Sequence, residues 1–120
     1  MAKILIVDDS AMSRRMMRRI LESAGHDVTE AEDGMIAIEK YFLEKPDVML
    51  LDLIMKGMRG LEVLHKVRQM DDKARVIVAT ADIQKSTQEM ARAEGAAGFV
   101  TKPFVEREII AAVDAALEEH

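Results

Sequence analysis

The chain has 120 residues, 49% hydrophobic and 32% charged, enough for one buried core under a polar surface and too few for a second folded unit. Its 17 basic and 22 acidic residues give a net charge of −5, and aromatic residues make up only 3%, so nucleic acid is not expected as a direct partner. With no cysteine there is no disulfide framework, no cysteine nucleophile and no thiolate zinc site.

In chain order, the aliphatic run 3–7 reads as a short buried strand and 12–24 as a helix. A weaker strand at 27–31 precedes a helix at 34–44, and the strand 47–51 leads through a loop to a helix at 60–70. A strand at 75–79, a helix at 83–94, a strand at 98–101 and a helix at 105–118 complete the pattern. Gly25 and Gly95 fall where helix C-termini want a left-handed residue, and Pro46 closes the second helix. Turning about 100° per residue, Met16, Met17, Ile20, Leu21 and Ala24 share the apolar arc of the first helix, opposite a solvated face bearing Arg14, Arg15, Arg18 and Arg19. The 10 methionines are expected mainly as core filler and on helix faces, the remainder lining an adaptable docking surface. His26, His65 and His120 lack metal-ligand spacing and read as surface residues.

Strict alternation of strands and helices, with strands apolar on both faces, implies an α/β, doubly wound (βα)5 fold: a parallel five-stranded sheet with helices on both faces, comprising residues 1–120 as a single domain. No apolar run approaches the roughly 20 residues of a membrane span, so no membrane insertion is expected. The start Met1-Ala2-Lys3 lacks a signal-peptide h-region, and a cytoplasmic location is expected.

Sheets of this kind bind ligands at the carboxyl ends of their strands. Here those ends carry Asp8-Asp9, Asp52, Thr80 and Thr101-Lys102-Pro103. Two carboxylates about 4 Å apart repel by about 4 kcal/mol at an effective dielectric near 20, so three converging ones call for a cation beyond one lysine. A hard ion with oxygen ligands, Mg²⁺ or Mn²⁺, suits the set. The same charge argues against a nucleotide or flavin, whose phosphates want glycine-rich backbone amides after the first strand.

The runs ILIVDDS, DLIM at Asp52, VAT ending at Thr80 and FVTKPF at Phe99–Phe104 closely resemble receiver domains of response regulators, over nearly the whole chain and in the same order. The resemblance implies a flavodoxin-like, CheY-like fold with strand order 2-1-3-4-5 and a two-component phosphorelay. It implies Asp52 as phosphoacceptor from a histidine kinase, with Asp8, Asp9, Asp52 and the backbone carbonyl of Ile54 holding Mg²⁺. Thr80 and Lys102 would contact the phosphoryl group, Ala81 would leave access for its donor, Phe99 would be the aromatic switch, and the bond before Pro103 would be cis. The output implied is binding to a downstream protein through the face of the fourth helix, fifth strand and fifth helix, by a monomer or a phosphorylation-dependent dimer, with chemotaxis as one such pathway. The protein would then be a phosphoacceptor that assists its own phosphorylation and dephosphorylation, not an enzyme. The loop after Asp52 departs from the family pattern: Lys56 stands where proline is usual, and Gly57 and Arg59 replace a stiff, often acidic stretch.

Two alternatives compete with this reading. A receiver cut from a longer transcription factor or hybrid kinase would make Glu118-Glu119-His120 an internal boundary. An Asp-nucleophile phosphatase of the haloacid dehalogenase kind wants Asp-x-Asp after its first strand, which Asp8-Asp9-Ser10 does not supply.

Overall fold

The computed structural model describes residues 1–118; His120 therefore lies outside the described residues. Five strands, β1 (Lys3–Val7), β2 (Asp27–Ala31), β3 (Val48–Leu51), β4 (Val76–Thr80) and β5 (Gly98–Thr101), alternate with five helices. These are α1 (Ala11–Ser23), α2 (Gly34–Glu44), α3 (Gly60–Met70), α4 (Lys85–Ala93) and α5 (Glu106–Glu118). All strand pairs are parallel and the order is β2-β1-β3-β4-β5, as expected.

Successive strand residues point to opposite faces, so the aliphatic runs feed two cores. Ile4, Ile6, Leu50, Ile77 and Ala79 pack with Met17 and Leu21 of α1 and Ile109 and Val113 of α5. Leu5, Val7, Met49, Leu51, Val76 and Val78 pack with Ala37 and Tyr41 of α2, Val63, Leu64 and Val67 of α3 and Ala91 of α4. Full burial of such an aliphatic side chain stabilises by about 1.5–3 kcal/mol, so strands buried on both faces are fixed in register.

Element ends shift by one or two residues where a side chain intervenes. Asp47 stays outside β3, its carboxylate accepting the Lys3 N–H at 2.8 Å. Ser10 caps α1 by accepting the Ser13 N–H, and α4 starts at Lys85 because Asp82 accepts the Gln84 N–H at 3.0 Å and holds 82–84 as a turn. Gly25 and Gly95 take the left-handed conformation, at φ +90° and +93°. At the end of α2 the left-handed residue is Lys45, directly before Pro46.

Met17 and Met49 are fully buried core filler and Met12, Met16, Met35, Met70 and Met90 stand on exposed helix faces, in line with expectation, while Met1 is exposed at the start of the chain. Met16, at the edge of the apolar arc of α1, and Ala24, the C-cap just beyond its last turn, face solvent. The arginine face of α1 is only partly solvated: Arg15 and Arg19 are exposed, while Arg14 and Arg18 are engaged. Glu30 of β2 pairs with Arg14 at 3.0 Å and Arg18 at 2.5 Å, and Arg14 also donates to the Asp8 carbonyl at 2.7 Å. These two guanidiniums hold the Glu30 carboxyl below its ordinary pKa against the opposing effect of burial.

Gly60 opens α3 against the end of β3. Its N–H donates to the Leu53 carbonyl at 3.2 Å, and a Cβ there would overlap the carbonyl oxygen of Asp52 and the Cα of Leu53. The position requires the absence of a side chain for close approach, not for turn geometry. Gly60→Ala is expected to cost about 2 kcal/mol or more through overpacking against main chain, read as a lower urea midpoint.

Candidate functional site

The register of the sheet assembles the site. Val7 pairs with both Ala31 and Leu51, so Asp8 and Asp52 leave adjacent strands at the same level, Asp52 donating its N–H to the Val7 carbonyl at 2.9 Å. Thr80 pairs with Thr101, and the Lys102 N–H donates to the Thr80 carbonyl at 2.9 Å, directing the Lys102 side chain back across the sheet.

The Lys102 ammonium lies 2.9 Å from Asp8 Oδ2 and 3.0 Å from Asp52 Oδ2. Asp8 is fully buried, and Asp52 is 3% exposed. Asp8 Oδ1 accepts the Ser10 N–H at 2.8 Å, and Asp52 Oδ1 accepts the Ile54 N–H at 3.1 Å. The contact from Lys102 to Asp8 Oδ2 is close but poorly aligned for a hydrogen bond, leaving that oxygen as the buried side-chain atom without a hydrogen-bond partner among the described residues. Exposed Asp9 accepts the Lys56 N–H at 3.1 Å, and carboxylate oxygens of Asp8, Asp9 and Asp52 lie within 4.8 Å of one another.

Burial, and to a smaller extent the charge of Asp52, raise the Asp8 pKa, although its bond to Ser10 and the adjacent Lys102 ammonium oppose this. Burial pulls the Lys102 pKa down, but the two carboxylates outweigh it and the net shift is upward. Lys102 thus stays charged, and the site is two positive charges short of balancing its three carboxylates. A buried carboxylate oxygen without a hydrogen bond, in a set of three hard donors, fits a divalent cation with oxygen preference.

Around this centre, Thr80 is fully buried, and its Oγ1 accepts the Asp82 N–H at 3.2 Å. Ala81 and Pro103 are exposed at the rim, and the Lys102–Pro103 bond is cis. Phe99 is half-buried against the core on the α2–α3–α4 side of the sheet. Ile54 is 59% exposed beside Asp52 and lines a cavity of about 290 Å³ with Arg59, Asp82 and Thr87. The loop after Asp52 is tied down despite its unusual composition: Lys56 through Asp9, Gly57 at φ +79°, Arg59 by donating its N–H to Glu62, and Gly60 through Leu53.

A family model for the response regulator receiver domain matches residues 4–114. The chain belongs to this family. Among curated relatives of this receiver, the chemotaxis protein CheY of Bacillus subtilis is 39% identical over 116 residues, covering 96% of the chain and 97% of that protein. CheY of Thermotoga maritima is 35% identical over 113 residues, with 93% and 94% covered. Among solved structures, chemotaxis protein CheY4 of Vibrio cholerae superposes at a TM-score of 0.92 with 31% identity, over 98% of the receiver and 99% of that chain. NtrX of Brucella abortus also reaches 0.92, at 28% identity, but the receiver spans only 27% of its length. The chain is thus a two-component signalling receiver.

Two contributors escaped the sequence reading. Arg14 anchors the Asp8 main chain, but nothing distinguishes it from its neighbours in the run Arg14-Arg15-Met16-Met17-Arg18-Arg19. Thr87, 7% exposed, donates to Asp82 Oδ2 at 2.8 Å and so ties the loop after Thr80 to α4. A polar residue on the inner face of a helix was the signal available for it. Of the histidines, His26 Nδ1 accepts the Ala2 N–H at 3.1 Å, and exposed His65 lies 2.7 Å from Glu94.

Without divalent cation, Asp8→Asn should stabilise the fold by about 1 kcal/mol, because it removes one of two buried like charges while keeping an acceptor for Ser10. Thermal melts in a chelating buffer should show the gain. Added Mg²⁺ should then raise the melting temperature of the wild type but not of the variant.

Proposed function

We propose that Asp52 accepts a phosphoryl group from a phosphohistidine of a sensor kinase, within a receiver domain spanning residues 1–120. The observation carrying this reading is the Lys102 ammonium bridging Asp8 and Asp52 within a cluster of three carboxylates. In the transfer, one Asp52 oxygen attacks phosphorus as the P–N bond breaks, and the released imidazole nitrogen takes a proton from solvent. Asp8, Asp9, Asp52 and the Ile54 carbonyl would hold Mg²⁺ or Mn²⁺, which neutralises charge on the phosphoryl oxygens. Lys102 exchanges its contact with Asp52 for one with a phosphoryl oxygen, and exposed Ala81 leaves the approach open.

Thr80 then turns its hydroxyl toward the phosphoryl group, leaving the Asp82 N–H, and Phe99 repacks. This shifts a pre-existing equilibrium and changes the α4–β5–α5 face, where a downstream protein binds. The protein acts as a cytoplasmic phosphoacceptor rather than a turnover enzyme, as a monomer or a phosphorylation-dependent dimer. The similarity to CheY proteins over nearly their full lengths supports a role in chemotaxis. The NtrX match supports a second reading, a receiver belonging to a longer regulator, which would place the output in another domain of that regulator.

Acetyl phosphate with Mg²⁺ should add one phosphoryl mass to the intact protein, and Asp52→Ala should abolish it. Full labelling of Asp52→Ala would assign the acceptor elsewhere. Asp9→Asn should slow labelling and weaken Mg²⁺ binding, measured by titration.

The lifetime of the adduct depends on water arriving in line with the Asp52–phosphorus bond, and Ile54 offers apolar bulk with no hydrogen bond to orient it. Replacing it by a polar side chain supplies one hydrogen bond of about 0.5–1.5 kcal/mol, equivalent to a roughly two- to tenfold rate change. Ile54→Asn should therefore speed decay of the phosphorylated mass by that factor at fixed Mg²⁺.

A further inference from the structure

A cavity of about 440 Å³ lies at the opposite end of the sheet from Asp52, below the amino ends of β4 and β5. From Arg75, just before β4, to Thr80 at its end is about 17 Å along the strand, so this cavity does not belong to the acidic site.

Its walls carry Arg68, Lys73 and Arg75 against one carboxylate, Asp72. A smaller adjoining cavity, which shares Ala96 and Ala97 with it, adds Arg92. None of these four cations has an ion-pair partner among the described residues. In a chain of net charge −5, four unpaired cations around one concavity form a local reversal of sign.

The cavity is also preorganised. Arg68 Nη1 is held by the carbonyls of Asp72 at 2.6 Å and Ala74 at 3.0 Å. The rest of the guanidinium lies over Gly95, where a Cβ would meet Nε at 2.5 Å. Gly95 is thus needed twice, for its left-handed φ and for the room it leaves the guanidinium. A guanidinium fixed in place loses little entropy on meeting an anion and offers a planar fork suited to phosphate oxygens. Cations spread over three wall positions exceed the reach of a single oxyanion, and the volume lies within the range of small-ligand sites.

We propose that this cavity binds a small, multiply charged phosphate anion carrying two or more phosphate groups. The site is independent of Asp52 and of any divalent cation, and its occupancy would add a second input to the domain from the end remote from phosphorylation.

The test is a ¹⁵N-¹H NMR titration of the full chain with inorganic pyrophosphate, in low salt with a chelator so that no metal bridges the anion to the acidic site. Saturable shifts should appear at amides 68–75 and 92–97, with those flanking Asp8 and Asp52 unmoved. Lys73→Gln with Arg75→Gln should weaken binding roughly ten- to hundredfold, as expected for the loss of two charge-assisted contacts. Labelling by acetyl phosphate should be unchanged in that variant, showing an intact fold. Arg15→Gln with Arg19→Gln removes the same charge from exposed positions on α1 and should leave pyrophosphate affinity unaltered. Equal weakening by the two double variants, shifts that grow linearly across the surface, or an affinity unaffected by Lys73→Gln with Arg75→Gln would each overturn the proposal.

Discussion

One ammonium between two buried carboxylates organises the business end of this domain. Asp8 and Asp52 are brought to the same level by the pairing of Val7 with Leu51, and their repulsion would disfavour that register if Lys102 did not arrive from β5. The sheet order, the aliphatic runs that fix it and the close approach at Gly60 all serve this juxtaposition. The balance is incomplete by design of the residue set: three carboxylates face one lysine, and an oxygen of Asp8 is left without a hydrogen bond. A fold that tolerates such an excess of buried negative charge sacrifices stability for affinity toward cations and toward groups that carry them.

A second layer connects this centre to the surface. Thr80 accepts from the Asp82 backbone, and the Asp82 carboxylate divides between the Gln84 N–H and the Thr87 hydroxyl. Every member is short and hydrogen-bonded, so displacement of the Thr80 hydroxyl is passed to the first turn of α4 rather than absorbed by a flexible loop. Asp82 is therefore occupied on both oxygens, which limits its freedom to turn toward Asp52.

The sequence disclosed the sheet almost completely because its strands are buried on both faces and read as unbroken aliphatic runs bounded by charged or small residues. The strand-end carboxylates were equally visible, since Asp8, Asp9 and Asp52 have no apolar role that would explain them. Residues whose job depends on a partner from another element were hidden. Arg14 looks like Arg15 until β2 presents Glu30 beside it, and Thr87 is an unexplained polar residue on the inner face of a helix until Asp82 meets it. The exposure of Met16 was missed for a related reason: periodicity locates an apolar arc, but the width of the covered strip depends on what packs over it, and the edge of α1 at Met16 is left bare.

That distribution of methionine gives the domain an uneven chemistry toward oxidants. The thioethers of Met12, Met16, Met35, Met70 and Met90 meet solvent, while those of Met17 and Met49 are sealed inside the two cores. Peroxide converts an accessible thioether to a polar sulfoxide, a change that reductases reverse. On this molecule the first sulfoxides form at Met1 and on the outer faces of α1, α2, α3 and α4, altering what those faces can adhere to while the sheet and its acidic centre remain packed.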